Sequence, residues 1–345
     1  MSIIIEGTFV SQKINKIRWI PEEYVETKHF FTGSWDDDEN SVKVWTYESI
    51  HESVNEDENV ENPRELSEYK VPGDVTEIKL IDKNKIAVSL SNGEVRLLEI
   101  SAYERNSPLR EVYTWSNLHH INSERCSCTA LDTFEGDIVT VGEDEKVNIL
   151  NGRRGDVTRS ISDTDSCSIH SVSFLKLNEV ITGNLRGHMK VWDIKRDNNK
   201  PVASFHFPGE EVAATCIVQH PTQPHIILAG SECGSLAVWD LRMNKFPTSQ
   251  LSAHSSGVTE MQFHPENPNK LITCSLSGDV WDWNMESLTK KSGDSYVPLD
   301  DKATMNVTSI IPTLHKAVNT IHCNKGRVLC AADNEAIYLI KNVKY

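Results

Sequence analysis

Eight cysteines and thirteen histidines are the side chains of this 345-residue sequence best suited to nucleophilic or metal chemistry. Zinc takes such ligands in close pairs of the CxxC type. Cys126-Ser127-Cys128 comes nearest, but it is one residue short and no second pair accompanies it. Cys167, Cys216, Cys233, Cys274, Cys323 and Cys330 are scattered among strand-like segments and read as buried free thiols. His119-His120 sets two imidazoles side by side without a matching His/Asp cluster, so no metal site is expected there. His220-Pro221 and His264-Pro265 fall at strand ends, where a repeated fold would place them for structural reasons.

No phosphate-cradling GxxxxGK[ST] loop, HExxH helix or GxSxG elbow occurs. The acidic residues fall mostly in turns, where solvated charge is the ordinary role. No catalytic residue, metal or cofactor is therefore expected. Lys+Arg is 35 against Asp+Glu 50, a formal charge of −15. That balance argues against direct nucleic-acid binding, which depends on cations neutralising phosphates, and leaves a basic protein partner open. No run reaches the roughly 18 apolar residues of a spanning helix. The Ile3-Ile4-Ile5 run stops at Glu6, too short for a signal peptide, so a soluble intracellular protein without membrane insertion is expected.

What positions these side chains is a repeat. Val258-x-x-Met261-x-Phe263-His264-Pro265 is followed by Leu271-Ile272-Thr273, a Ser277-Gly278 turn and Trp283-Asn284. The same order recurs from Ala214 to Val238-Trp239-Asp240 and from Ile169 to Val191-Trp192-Asp193. Weaker copies start at Val75, Cys128 and Val318, and a seventh at Ile14, ending in Val42–Trp45. First apolar positions at 14, 75, 128, 169, 214, 258 and 318 give three middle spacings of 41, 45 and 44. These match the ~40–45 residue period of a four-stranded propeller blade. The wider spacings require insertions, expected as an acidic loop over about 48–68 and polar loops over about 101–125 and 285–316.

The repeat resembles the WD-repeat family across the chain. Trp192-Asp193 and Trp239-Asp240 keep its dipeptide, while Trp45-Thr46 and Trp283-Asn284 keep the Trp; these are assigned structural blade positions. Gly-His survives only as Ala253-His254, and the turn Asp is clear only at Asp144, so the His–Ser/Thr–Asp–Trp network is expected to be largely missing. Apolar packing between blades must then carry stability, at ~25 cal/mol per Å². The fold expected is all-β: one seven-bladed WD40 β-propeller over 1–345. Its last copy has only three strands, and Ile3–Val10 is expected to pair beside Ala336–Lys341 and close the ring.

Trp35, in the turn Gly33-Ser34-Trp35-Asp36, is a candidate partner anchor at one rim, because interface hot spots are rich in Trp, Tyr and Arg. Arg186, in the corresponding turn, and Trp281, alternating with Trp283, are further candidates. Beyond the generic repeat, Phe9-Val10-Ser11-Gln12-Lys13-Ile14, Thr32-Gly33-Ser34-Trp35-Asp36, Val139–Asp144, Trp281-x-Trp283 and Glu335-Ala336-Ile337-Tyr338 are similar to the 43-kilodalton class of WD-repeat nucleoporins. The resemblance implies a scaffold subunit of the Y-shaped nuclear pore complex, monomeric within a hetero-oligomer and docked on a helical-solenoid nucleoporin of the short arm. It also implies roles in pore assembly, nuclear transport and, in mitosis, at the kinetochore. The alternative is an adaptor or substrate receptor in a ubiquitin-ligase or chromatin complex, for which Trp239-Asp240-Leu241-Arg242 fits a WDxR docking pattern.

Overall fold

The computed structural model describes residues 3–22, 27–50, 60–100, 109–176, 178–196, 198–207, 211–243, 247–286 and 307–343. Seven four-stranded antiparallel sheets form the blades of an all-β propeller. Blade 1 consists of β2 (Ile14–Trp19), β3 (His29–Ser34), β4 (Asn40–Ile50) and β5 (Val60–Val71). Blade 2 is β6 (Val75–Leu80), β7 (Lys85–Leu90), β8 (Val95–Ile100) and β9 (Leu109–Trp115). A short hairpin, β10 (His120–Ile121) and β11 (Glu124–Arg125), leads to blade 3: β12 (Cys128–Phe134), β13 (Asp137–Gly142), β14 (Val147–Asn151) and β15 (Val157–Ile161). Blade 4 is β16 (Ile169–Lys176), β17 (Glu179–Asn184), β18 (His188–Asp193) and β19 (Ala203–His206). Blade 5 is β20 (Ala214–Gln219), β21 (Ile226–Ser231), β22 (Ser235–Asp240) and β23 (Ser249–Ser252). Blade 6 is β24 (Val258–Phe263), β25 (Lys270–Ser275), β26 (Val280–Asn284) and β27 (Val307–Ser309). Blade 7 joins β28 (Val318–Asn324), β29 (Arg327–Ala332) and β30 (Ala336–Lys341) to β1 (Ile4–Phe9).

Ring closure follows the expected pairing, with Ile4 opposite Lys341 and Phe9 opposite Ala336. The first strands pack side by side around the centre, β2 against β6 on one side and β28 on the other. Strand position explains residue choice. Second strands are sandwiched between blades, so Ile226–Ser231 is buried throughout, as expected for a near-continuous apolar run. Seven buried apolar clusters result, each spanning one of the seven blade–blade interfaces. Packing between blades, the expected source of stability, is thus distributed evenly around the ring.

A second ring is polar. The residue after each copy's first apolar position reaches across to the corresponding carbonyl of the next blade. Asn15 Nδ2 donates to Val75 O (2.6 Å), Thr76 Oγ1 to Cys128 O (2.6 Å) and Thr129 Oγ1 to Ile169 O. Thr215 donates to Val258 O (2.6 Å), Thr259 to Val318 O (2.6 Å) and Asn319 Nδ2 to Ile14 O (3.1 Å). In blade 4 that position is His170, and Ser171 takes over with a 2.8 Å bond to Ala214 O. All seven interfaces carry the bond, the last one joining positions 319 and 14.

The three expected loops need correction. Much of 48–68 is strand: β4 and β5 form a long hairpin in which Thr46 opposes Arg64 and Glu48 opposes Asn62. Lys43 bridges Glu65 (3.1 Å) and Glu68 (3.5 Å), and Arg64 pairs with Glu48 (2.6 Å), so the acidic composition is partly matched by cations across the hairpin. Segments 101–125 and 285–316 likewise supply fourth strands, β9 and β27. Their remaining stretches, 101–108 and 287–306, lie outside the described residues, as does 51–59.

Candidate functional site

Convergent titratable groups were absent from any linear motif, yet the inner strands bring several together at the propeller axis. Arg18 is the hub. Its Nη2 lies 2.5 Å from Glu77 Oε1 and 2.6 Å from Glu260 Oε1, its Nε donates to Ile78 O (2.9 Å), and its Nη1 to Ile17 O (2.8 Å) and Thr320 Oγ1 (3.1 Å). Blades 1, 2, 6 and 7 therefore meet on one guanidinium. Burial pushes the Glu260 carboxyl up, but Arg18 and Lys16 overcome this and hold it well below the usual range. Its Oε2 also accepts from Thr320 Oγ1 (2.7 Å) and Ile321 N (3.0 Å). His322 Nδ1 accepts the Trp19 N–H at 2.8 Å, and burial, assisted by Arg18, lowers its pKa to about 3.

This arrangement binds blades rather than transferring protons. A base needs a free lone pair near neutrality. Glu260 is fully ionised with both oxygens occupied, and Nδ1 of His322 is already an acceptor. The same device recurs where Asp132 Oδ2 accepts from Phe174 N (2.8 Å) and Gln262 Oε1 from Cys323 N (2.7 Å), each linking one blade to the next.

Above this layer lies the channel mouth, rimmed by the residue that follows each second strand. Seven equivalent bonds define the rim: Trp35 N to Lys13 O, Ser91 N to Asp74 O, Glu143 N to Ser127 O, Leu185 N to Ser168 O, Glu232 N to Ala213 O, Leu276 N to Gly257 O and Asp333 N to Ala317 O, all 2.9–3.1 Å. The rim positions thus hold three carboxylates, three apolar residues and a serine, with no cation among them. A cavity of about 270 Å³ lies beneath Trp35, Glu232 and Leu276, with Lys16, Val258 and Thr259 in its wall.

Trp35 is partly buried at this cavity, and its indole N–H is buried without a hydrogen-bond partner. Arg186 lies one residue beyond Leu185, the true counterpart of Trp35, and pairs with Glu211 at 3.5 Å. Trp281 stacks on His254 (4.4 Å between centroids) and packs beside Trp283 (5.7 Å). The three candidates therefore form no common patch; Trp35 alone is part of the mouth.

Trp45, Trp192, Trp239 and Trp283 are buried. Three of them donate to a second-strand threonine: Trp45 Nε1 to Thr32 (2.8 Å), Trp192 to Thr182 (3.0 Å) and Trp283 to Thr273 (2.8 Å). In blade 5 the corresponding residue is Ala229, and the Trp239 N–H has no partner. Asp193, Asp240 and Asn284 each accept the backbone N–H two residues on, at 3.0–3.1 Å, shaping the turn out of the third strand. Asp240 also holds Arg242 (2.5 Å), so the arginine of the WDxR pattern is engaged within its own blade.

The expected loss of the polar network is corrected in blades 3 and 6. His119 is a buried blade histidine, bonding Asp144 Oδ1 through Nδ1 (2.8 Å) and Thr140 Oγ1 through Nε2 (3.0 Å). His254 Nε2 bonds Thr273 at 2.8 Å. Leu118-His119, nine residues before Cys128, hid the first because β10 and β11 separate it from its strand. The repeated Thr32, Thr140, Thr182 and Thr273, each after an apolar residue in a second strand, were the available signal.

Residues 117–340 match the family model described as nucleolar protein 10-like, N-terminal domain. The chain is 30% identical to nucleoporin Nup43 of Homo sapiens, the alignment covering 98% of this chain and 99% of that protein. It is 24% identical to nuclear pore complex protein NUP43 of Arabidopsis thaliana, over 83% of this chain and 79% of the relative. Against nup43 of Dictyostelium discoideum the identity is 26%, over 60% and 51% respectively.

Proposed function

The chain belongs to the Nup43 family of nucleoporins, built on a propeller of the nucleolar protein 10-like class, and on that footing we propose that it is a non-catalytic structural subunit of the nuclear pore complex. The observation that carries this reading is the end-to-end match to human nucleoporin Nup43, which spans all seven blades and the closing strand rather than a few repeats. A rigid ring whose axial charges are consumed in joining blades supports a role in holding partners. The proposed partner is a helical-solenoid nucleoporin in the short arm of the Y-shaped complex, with the propeller monomeric in that assembly. Pore assembly and nucleocytoplasmic transport follow from such a position, and kinetochore association in mitosis extends it.

Affinity purification of the tagged full chain from interphase cells tests this. Recovery of Y-complex subunits in stoichiometric amounts is expected. Recovery of ubiquitin-ligase adaptors without them would replace the scaffold reading by the adaptor one.

A further inference from the structure

The channel mouth has a chemistry that its structural role does not use. At about 270 Å³ the cavity is smaller than the ~300–1,000 Å³ typical of sites for whole small molecules, and suits one long side chain. Its wall combines apolar surface with one carboxylate. Leu276 is 52% exposed, far more than a side chain committed to packing. Trp35 contributes an aromatic side chain to the lining. One Glu232 oxygen accepts Ala213 N at 2.9 Å, which orients the carboxylate.

Charge decides what side chain fits. The rim contributes Glu143, Glu232 and Asp333, and the turn after Trp35 is Asp36-Asp37-Asp38-Glu39, all four exposed. The cation in the wall is Lys16: burial disfavours its ammonium, but Glu77 (3.5 Å) and Glu260 outweigh this and hold it charged. Lys13 pairs with Asp36 and Lys70 with Glu39, but Asp37, Asp38, Glu143, Glu232 and Asp333 still leave the mouth net negative, and a carboxylate ligand would be repelled. Partners carrying positive charge are steered toward such a surface.

We propose that this mouth is a docking site for a basic, extended peptide segment of a partner protein, which inserts one arginine side chain between Trp35, Leu276 and Glu232. The methylene stem covers Leu276 and Val258, and the guanidinium lies on the Trp35 ring and meets Glu232. Arginine is favoured over lysine because its planar, weakly hydrated cation stacks on aromatic rings and forks onto carboxylates. The site is independent of the nuclear-pore reading, since it rests on the cavity and the rim alone.

The probe is a fluorescein-labelled Gly-Ser-Gly-Arg-Gly-Ser-Gly peptide flanked by two lysines, titrated with the full chain by fluorescence polarisation at 0.15 M salt. Saturable binding is expected, weakened about tenfold when citrulline replaces the arginine and by a similar factor in Glu232→Gln. Leu276→Ser, at an exposed position that leaves the fold intact, is expected to weaken binding several-fold. Glu179→Gln, remote from the rim, is the control and should leave affinity unchanged. No saturable binding, or equal loss in Glu179→Gln and Glu232→Gln, overturns the proposal in favour of none or of diffuse electrostatic attraction. Equal affinity for the citrulline peptide overturns it as well.

Discussion

At the scale of single residues, Arg18 is the side chain on which most of the axial polar structure depends. Together with Lys16 it balances two carboxylates contributed by blades 2 and 6, Glu77 buried and Glu260 half-buried. Removing one partner of such a cluster leaves uncompensated charge, typically costing about 3–5 kcal/mol. Arg18→Met is expected to lower the urea midpoint accordingly, and adding Glu77→Gln, which leaves Lys16 to balance Glu260, should recover part of the loss. His322 gives a pH signature. Its folded pKa is depressed to about 3, whereas an unfolded imidazole titrates near 6.5. The unfolded state alone takes up a proton below that value, so stability is full above pH 6.5 and declines as pH falls toward 3. Arg18 and Lys79 oppose the imidazolium and Glu260 favours it, the balance leaving the ring neutral. His322→Asn keeps an acceptor for the Trp19 N–H. Urea titrations at pH 7.5 and 5.5 should show it losing about 1 kcal/mol less on acidification than the parent chain.

At the scale of strands, the hydroxyl-to-indole bond between second and third strands separates blades that share the same Trp. Trp192 is bonded to Thr182, whereas Trp239 faces Ala229 and its N–H is unpartnered. Replacing either ring with Phe sacrifices similar apolar area, but only Trp192→Phe also breaks a hydrogen bond and leaves Thr182 short of a donor. Chemical denaturation is expected to place Trp192→Phe about 1 kcal/mol below Trp239→Phe. Equal losses would mean that the indole bond contributes nothing net. Turn chemistry also tracks strand length. Where Asp or Asn ends the third strand, as at Asn151, Asp193, Asp240 and Asn284, its side chain draws the following backbone into a turn. Blade 1 has Thr46 there, and β4 runs on to Ile50. Gly278 shows the constraint at the opposite turn: its φ is +88°, and a Cβ would lie 2.1 Å from Leu314 O.

At the scale of the whole molecule, closure depends on residues from opposite ends of the chain. β1 pairs with β30, while Asn319 and Thr320 bond to backbone groups of Ile14 and Ile17. Removing residues 3–10 would expose the edge of β30, where Leu339 and Ile340 are fully buried. A fall in melting temperature of about 10 °C or more is expected, at about 2–4 °C per kcal/mol for a domain of 150–250 residues. An unchanged melt would show that the first-strand ring closes the propeller without β1.

Blade number, blade composition and the closing strand were legible in the sequence because each follows from local patterning. A second strand buried on both faces must be apolar, and a copy lacking its fourth strand must borrow one. Three matters were decided only by the tertiary structure. Fourth strands inside polar segments, such as β5, have no apolar periodicity because their outer edge meets water. The Arg18 cluster joins residues 18, 77, 260 and 320, whose contact exists only after the ring has closed. The rim residues share no chemical type at all, since what defines them is a backbone bond repeated seven times. Side-chain identity there is free to vary, and that freedom is why the sequence pointed to Trp35 at the rim but not to Glu232 or Leu276 beside it.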